Sequence, residues 1–430
     1  MRHEPWLTAQ ARLHPDRVAL ECEGEVLTYG ELHRRASGAA GELAARGVRP
    51  GDRVAIARPP GIDFVVAFHA CLLLCAAVVP LDPRLTAGER ATRTQSASTV
   101  VDERQAEHPT PLSAASWGYD DLVMVVHTSG TTSEPKPVAI TYGNVRGNAV
   151  GSALALGLHP RERWLCPMPL SHVGGLMVLL RSVIYGTSVV LMPPPFDAAA
   201  VAERLNRGDA TMCSLVPTML ARALEAGLER PRRLRCLLLG GGPAARPLLE
   251  RALAAGVPVA QTYGLTEATS QVTVSEPGDP FTAGAPLPGV HIRLAEDGEV
   301  LVEGPVVAAG PVLRTGDLGR LDERGRLTIV GRKSDTIVTG GENVAPAEVE
   351  AVLLAHPAVA DAGVFGRRDP EWGEAVVAKV VPADGQEVDG DALAAWCRER
   401  LAGFKVPKAF EPADDLPRTG SGKLLRRSLV

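Results

Sequence analysis

Three short stretches constrain the fold more than anything else in the chain: LVMVV (122–126), SVVLM (188–192) and CLLLG (236–240). A strand with one face in water alternates polar and apolar residues, whereas these are apolar at nearly every position. Such strands are buried on both faces, and a parallel sheet covered by helices achieves that. The intervening segments supply the helices. Thr28 and Glu31 stand at capping-box spacing, and Leu32, Ala36, Ala39 and Leu43 follow at helical intervals as far as Gly47. The stretch FVVAFHACLLLCAAVVP (64–80) is interrupted by His69 and closed by Pro80. It is short of the roughly 20 residues a bilayer span needs, and reads as a buried helix running into a buried strand, with no membrane insertion.

From about residue 284 the texture changes. HIRLAEDGEVLVEG (291–304) and GRLTIVGR (325–332) alternate and carry Asp-Gly and Arg-Gly turns, a hairpin signature. After residue 332 come a helix starting at Pro346, strand-like runs VADAGVFG and AVVAKVV, and a helix over DALAAWCRERLAGF. These make a small α+β unit of roughly 100 residues, and a length of 430 residues accommodates it beside one large α/β domain. A net charge of −5 with scattered basic residues gives no reason for a nucleic-acid partner. Seven cysteines, with no CxxC pair and no zinc spacing, are expected to be reduced, buried thiols of a cytoplasmic protein. The opening MRHEPWLTAQ lacks the apolar core of a signal peptide.

Four segments carry the chemistry. HTSGTTSEPKP (127–137) follows an apolar run and can offer backbone N–H groups, hydroxyls and one cation to polyphosphate oxygens. It is not the Walker pattern, which occurs nowhere in the chain, and in isolation a Ser/Thr-rich surface loop accounts for it equally well. QTYGLTE (261–267) follows another run, at the strand end where α/β folds place ligands. Tyr263 there can stack on a purine and Glu267 can hold magnesium; alternatively Thr266 and Glu267 simply start a helix. The glycines of LLLGGGP (237–243) permit close approach to a flat ligand. RTGDLG (314–319) places Asp317 in a turn, where it can accept both hydroxyls of a ribose or merely cap the turn.

TSGTTSEPKP, PLSHVGG, YGLTE, RTGDLG, GRKSDTIVTGGENVAPAEVE and PRTGSGKLLRR occur in the order found in the adenylate-forming superfamily, and the resemblance spans nearly the whole chain. Within it, the GGEN segment, RSVIYGTSVVL and LRCLLLGGGPA resemble most the o-succinylbenzoate–CoA ligases of menaquinone biosynthesis. Ligases for another aromatic or medium-chain acid share the GGEN segment and stand as the alternative, with a nucleotide-binding pseudoenzyme further off. The fold the resemblance implies is α/β. It has a large N-terminal domain (1–332) of layered α/β subdomains with a small β-barrel-like part, and a small mobile α+β C-terminal domain (333–430) carrying the catalytic lysine.

The resemblance also implies ATP, Mg2+ and, as co-substrate, CoA. Thr128, Ser129, Gly130, Thr131, Thr132 and Lys136 would belong to the mobile loop over the phosphates. Gly240, Gly241, Gly242 and Tyr263 would flank adenine, with Gly264 and Thr266 beside them, and Asp317 and Arg332 would bind ribose. Glu267 and Thr131 would hold the metal. Lys423 would be the cation between the acid and the α-phosphate, where charge concentrates in the reaction. His172 would gate an acid pocket shared with Gly264 and Arg181. The lid would pivot at Lys333 and Ser334 and admit the thiol past Gly340 and Gly341.

Ser133 and Pro137 replace the family's usual glycines, so a stiffer loop with weaker ATP affinity or slower adenylation is expected. The segment 169–181 has no acidic residue for a substrate ammonium, which disfavours an amino acid. Arg181 suits a second carboxylate, although a helix cap or surface ion pair is as good a reading. The sequence leaves monomer and homodimer open.

Overall fold

The computed structural model describes residues 2–105, 115–128, 136–418 and 424–429. The apolar runs form the parallel strands expected of them. In the larger sheet, Val259–Leu265, Cys236–Leu239, Met212–Leu215, Arg163–Cys166, Ser188–Leu191 and Val18–Cys22 are consecutive parallel neighbours. Antiparallel strands Glu25–Thr28 and Ser270–Val274 flank them. A second sheet sets Thr99–Val101, Arg53–Ile56, Ala77–Pro80 and Leu122–His127 in parallel, and Pro137–Thr141 closes its edge antiparallel to Leu122–His127.

Local signals explain the helices between them. Thr28 caps the helix Tyr29–Ala45 with the reciprocal Glu31 bond, and Leu32, Ala36, Ala39 and Leu43 are its buried face. The helix Ile62–Leu73 is buried almost throughout and feeds the fully buried strand Ala77–Pro80. Among the described residues no helix is long and apolar enough to cross a membrane. All seven cysteines are buried and unbridged.

The β-rich part is an antiparallel meander of His291–Leu294, Glu299–Glu303, Val312–Leu321 and Leu327–Arg332. A bridge from Gly284 to Leu327 ties it back to the large sheet. Beyond it a five-stranded sheet, with helices Pro346–Leu353 and Gly390–Arg398, encloses a separate core around Val349, Leu353, Val364, Val376 and Leu393. Pro346 is the first helical residue, as its missing N–H favours. The last helix is shorter than its periodicity suggested: it ends at Arg398, and Gly403–Lys405 forms a separate 3-10 turn.

Candidate active site

Tyr263 lies near the end of the strand Val259–Leu265, and its hydroxyl donates to Asp317 Oδ2 at 2.8 Å. Arg332 Nε donates to the other carboxylate oxygen at 2.6 Å. Burial, reinforced by the Asp317 carboxylate, pushes the Tyr263 phenol well above its ordinary range, so it is a donor throughout the neutral region. Asp317 is not in a turn, as the sequence suggested, but in a bulge of the strand Val312–Leu321. Leu301 faces Arg314 and Glu299 faces Leu318, so the bulged strand carries two extra residues. Thr315 stitches the bulge by donating its hydroxyl to Val300 O (2.8 Å) and accepting the Asp317 N–H (3.1 Å). An inserted bulge re-aims a side chain, here turning Asp317 toward Tyr263 and Arg332.

The glycine turn lies beside this group. A Cβ on Gly240 would stand 2.8 Å from Thr262 Cγ2, and Gly241 has φ +82°, which favours glycine. Gly242 has open space where a Cβ would be. Gly264 has a backbone reason of its own: a Cβ there would lie 1.8 Å from Ser270 O across the hairpin. Thr266 and Glu267 form one 3-10 turn with no side-chain cap, so the helix-start alternative does not describe them. Among the described residues no group of three or more His, Cys, Asp or Glu could hold a metal.

Thr128 and Lys136, on either side of the segment 129–135, are joined by the Thr128 N–H donating to Lys136 O at 3.0 Å. Ser129, Gly130, Thr131, Thr132 and Ser133 lie outside the described residues, as does Lys423. The residues flanking the lysine segment, Arg418 and Leu424, form an antiparallel bridge.

His172 precedes the helix Val173–Tyr185 without capping it. Burial lowers its pKa against the pull of Asp82, so the imidazole is neutral at pH 7. Arg181 is about 13 Å further along that helix and only 2% exposed, which corrects the cap and surface-pair readings. Its Nη2 donates to Asn148 Oδ1 at 2.6 Å, its Nε has no partner, and it makes no ion pair among the described residues. Burial lowers its pKa to about 10, which leaves it charged at neutral pH. Asn148 in turn donates to Gln271 O, and Gln271 Nε2 donates to Thr262 Oγ1, next to Tyr263. Sequence reasoning missed this chain. Asn144, Asn148 and Ser152, at four-residue spacing along one helix, were the available signal.

Gly340 and Gly341 have φ of +56° and +85°. The Gly340 N–H donates to Trp372 O, and Lys408 Nζ sits 4.5 Å over the Trp372 ring, which is 37% exposed. In the sequence this exposed indole belongs to none of the motif segments. Lys333 and Ser334 lie in a 3-10 turn directly after Arg332.

The chain matches the family model described as AMP-binding enzyme over residues 7–101 and 93–316. It matches the model described as AMP-binding enzyme C-terminal domain over 348–423. It is 40% identical to a 2-succinylbenzoate–CoA ligase of Bacillus velezensis, covering 99% of this chain and 97% of that relative. A ligase of the same description from Bacillus subtilis is 39% identical, with the same coverage. Among solved structures, o-succinylbenzoate CoA synthetase from Bacillus subtilis, in complex with the acyl-adenylate intermediate OSB-AMP, superposes with a TM-score of 0.92. The identity there is 39%, over 100% of this chain and 98% of that one. ATP-bound MatB from Rhodopseudomonas palustris gives 0.88 at 27% identity, over 99% and 98%.

Proposed function

We propose, from the premise that this chain belongs to the AMP-binding enzyme family and is an AMP-forming CoA ligase, that its acid is o-succinylbenzoate. The carboxylate attacks the α-phosphate of ATP, releasing pyrophosphate and forming an acyl-adenylate. The thiol of CoA then attacks the acyl carbon, forming the thioester and releasing AMP. What carries the choice of acid is Arg181, a buried cation with no carboxylate against it among the described residues. A dicarboxylate spends one carboxylate on adenylation and brings a second, and a buried guanidinium is a strong partner for it.

In this scheme Tyr263 and the Gly240–Gly242 turn hold adenine, and Asp317 with Arg332 holds the ribose. Thr128, Lys136 and the loop between them take the β- and γ-phosphates. Magnesium, held by Glu267 and Thr131, would neutralise phosphate charge. Lys423 stabilises the charge that builds at the α-phosphate. His172, neutral and unsuited to carry a proton at pH 7, shapes the mouth of the acid pocket. Residues 333–430 act as a lid turning at Lys333–Ser334. Gly340 and Gly341 leave room for the pantetheine arm, and the exposed Trp372 with Lys408 offers a stacking face and a cation to the rest of CoA.

Acid-dependent pyrophosphate exchange over a panel of acids tests this. Exchange is expected to be fastest with o-succinylbenzoate and to fall at least about a hundredfold in Lys423→Ala. A faster rate with a monocarboxylic fatty acid would overturn the choice of acid, and no exchange with any acid would support the pseudoenzyme.

A further inference from the structure

The bulge that carries Asp317 needs something to hold it, because inserted residues lose their ladder partners. Glu299, at the start of the opposing strand and 4% exposed, supplies it. Its Oε1 accepts the N–H of Gly316, the residue before Asp317, at 3.1 Å. Its Oε2 accepts from Arg314 Nη2 at 2.5 Å and lies 3.5 Å from Lys333 Nζ. Lys333 also pairs with Asp297, two residues before Glu299.

One buried carboxylate thus touches both the bulge that presents Asp317 and the first residue of the hinge. On the far side of Ser334, Asp335 is held by Arg426 Nη1 (2.9 Å), whose Nη2 pairs with Glu350 at 2.6 Å. Each set of ion pairs lies on one side of Ser334, so rotation there breaks neither. The bonds that cross it are long: Thr336 N–H to Lys333 O at 3.4 Å and Thr336 Oγ1 to Arg332 O at 3.3 Å.

We propose that Glu299 is a positioning residue with two arms, one fixing the Gly316 bulge behind Asp317 and the other anchoring Lys333, so that the nucleotide seat and the root of the lid share one carboxylate. This rests on the ligase reading for the roles of Asp317 and the lid. Neither arm touches substrate; Glu299 acts through Asp317 and through Lys333.

Glu299→Gln separates the arms, because its amide oxygen still accepts from Gly316 while Arg314 loses its counter-charge and Lys333 keeps only that of Asp297. AMP affinity by calorimetry and the rate of tryptic cleavage after Lys333 are measured without acid, and kcat and KM for ATP with o-succinylbenzoate. In Glu299→Gln, AMP affinity is expected to stay within about threefold of wild type, with hinge cleavage faster and kcat lower by about tenfold. Glu299→Ala is expected to lose AMP affinity about tenfold as well. Lys333→Met should reproduce the kcat loss with AMP affinity intact. If Glu299→Ala does not fold, Glu299→Asp, which withdraws the carboxylate from Gly316, gives the same AMP readout.

Wild-type AMP affinity in the shortened variants overturns the first arm. Unchanged hinge cleavage in Glu299→Gln overturns the second. A wild-type protein inert with every acid would sink the ligase reading alone, since AMP affinity and hinge cleavage would still report on Glu299.

Discussion

Arg332 and Arg181 are both drawn into the interior, yet the protein treats them in opposite ways. Arg332 is 30% exposed at its side chain and locked to Asp317, which also takes the Tyr263 hydroxyl. Arg181 is 2% exposed and has one neutral amide partner and an unsatisfied Nε. A buried charge without a counter-charge is costly. A fold that keeps one has either an internal reason that the visible partners do not supply or an external anion to meet. If Asp317 and Arg332 hold the nucleotide and Arg181 meets the acid, as proposed, the nucleotide side is complete before ligand arrives, whereas the acid side carries a charge that its substrate would neutralise. On that proposal the nucleotide seat is self-supporting, and the part that selects the acid is left open.

The widest separation between the two regions is expected from Arg181→Met, which keeps the length and removes the charge. Truncating one partner of a buried charge pair costs about 2–5 kcal/mol, so kcat/KM for o-succinylbenzoate should fall about a hundredfold. A monocarboxylic acid should be affected less than about threefold. Stability, read by urea denaturation, should stay within about 1 kcal/mol, because losing the Asn148 bond is offset by relieving a desolvated charge. Equal losses for both acids, with a fall of several kcal/mol in stability, would make Arg181 structural.

Asp317→Asn should invert that pattern at smaller size. It leaves Arg332 without its counter-charge and weakens a charge-assisted acceptor. Stability should fall by about 1–3 kcal/mol, and AMP affinity by about tenfold, with no discrimination between acids. An Asp317→Asn enzyme that kept AMP affinity but lost discrimination between acids would break that division.

The parallel sheets were legible because their strands are apolar on both faces, and the helices because a capping box and a proline mark their starts. Tyr263, Asp317 and Arg332 were legible as motif residues, but not their convergence. That depends on a bulge whose signal is a register mismatch between two strands, and no single segment encodes a register. Glu299 was hidden for the same reason, since in the sequence it is one more acidic residue after an Asp-Gly turn. Arg181 was found but misjudged as equally suited to the surface. The side chains around it, Asn148 on another helix and Trp164, whose ring lies 5.8 Å from the guanidinium, are remote in the chain.

The smallest effect concerns the phosphate loop, where the sequence suggested that Pro137 stiffens the approach to ATP. Pro137 is the first residue of an edge strand, and proline is tolerated there because its missing N–H breaks no central ladder bond. The neck of the loop is closed one residue earlier, by the Thr128 N–H and Lys136 O, which proline leaves untouched. Pro137→Gly should therefore lower stability by about 0.4–1 kcal/mol through added freedom of the unfolded chain. KM for ATP in pyrophosphate exchange should move less than about twofold, since the bond that shapes the neck persists. A tenfold faster exchange would show instead that the proline brakes adenylation, and would return to the nucleotide side an incompleteness that the paired charges around Asp317 argue against.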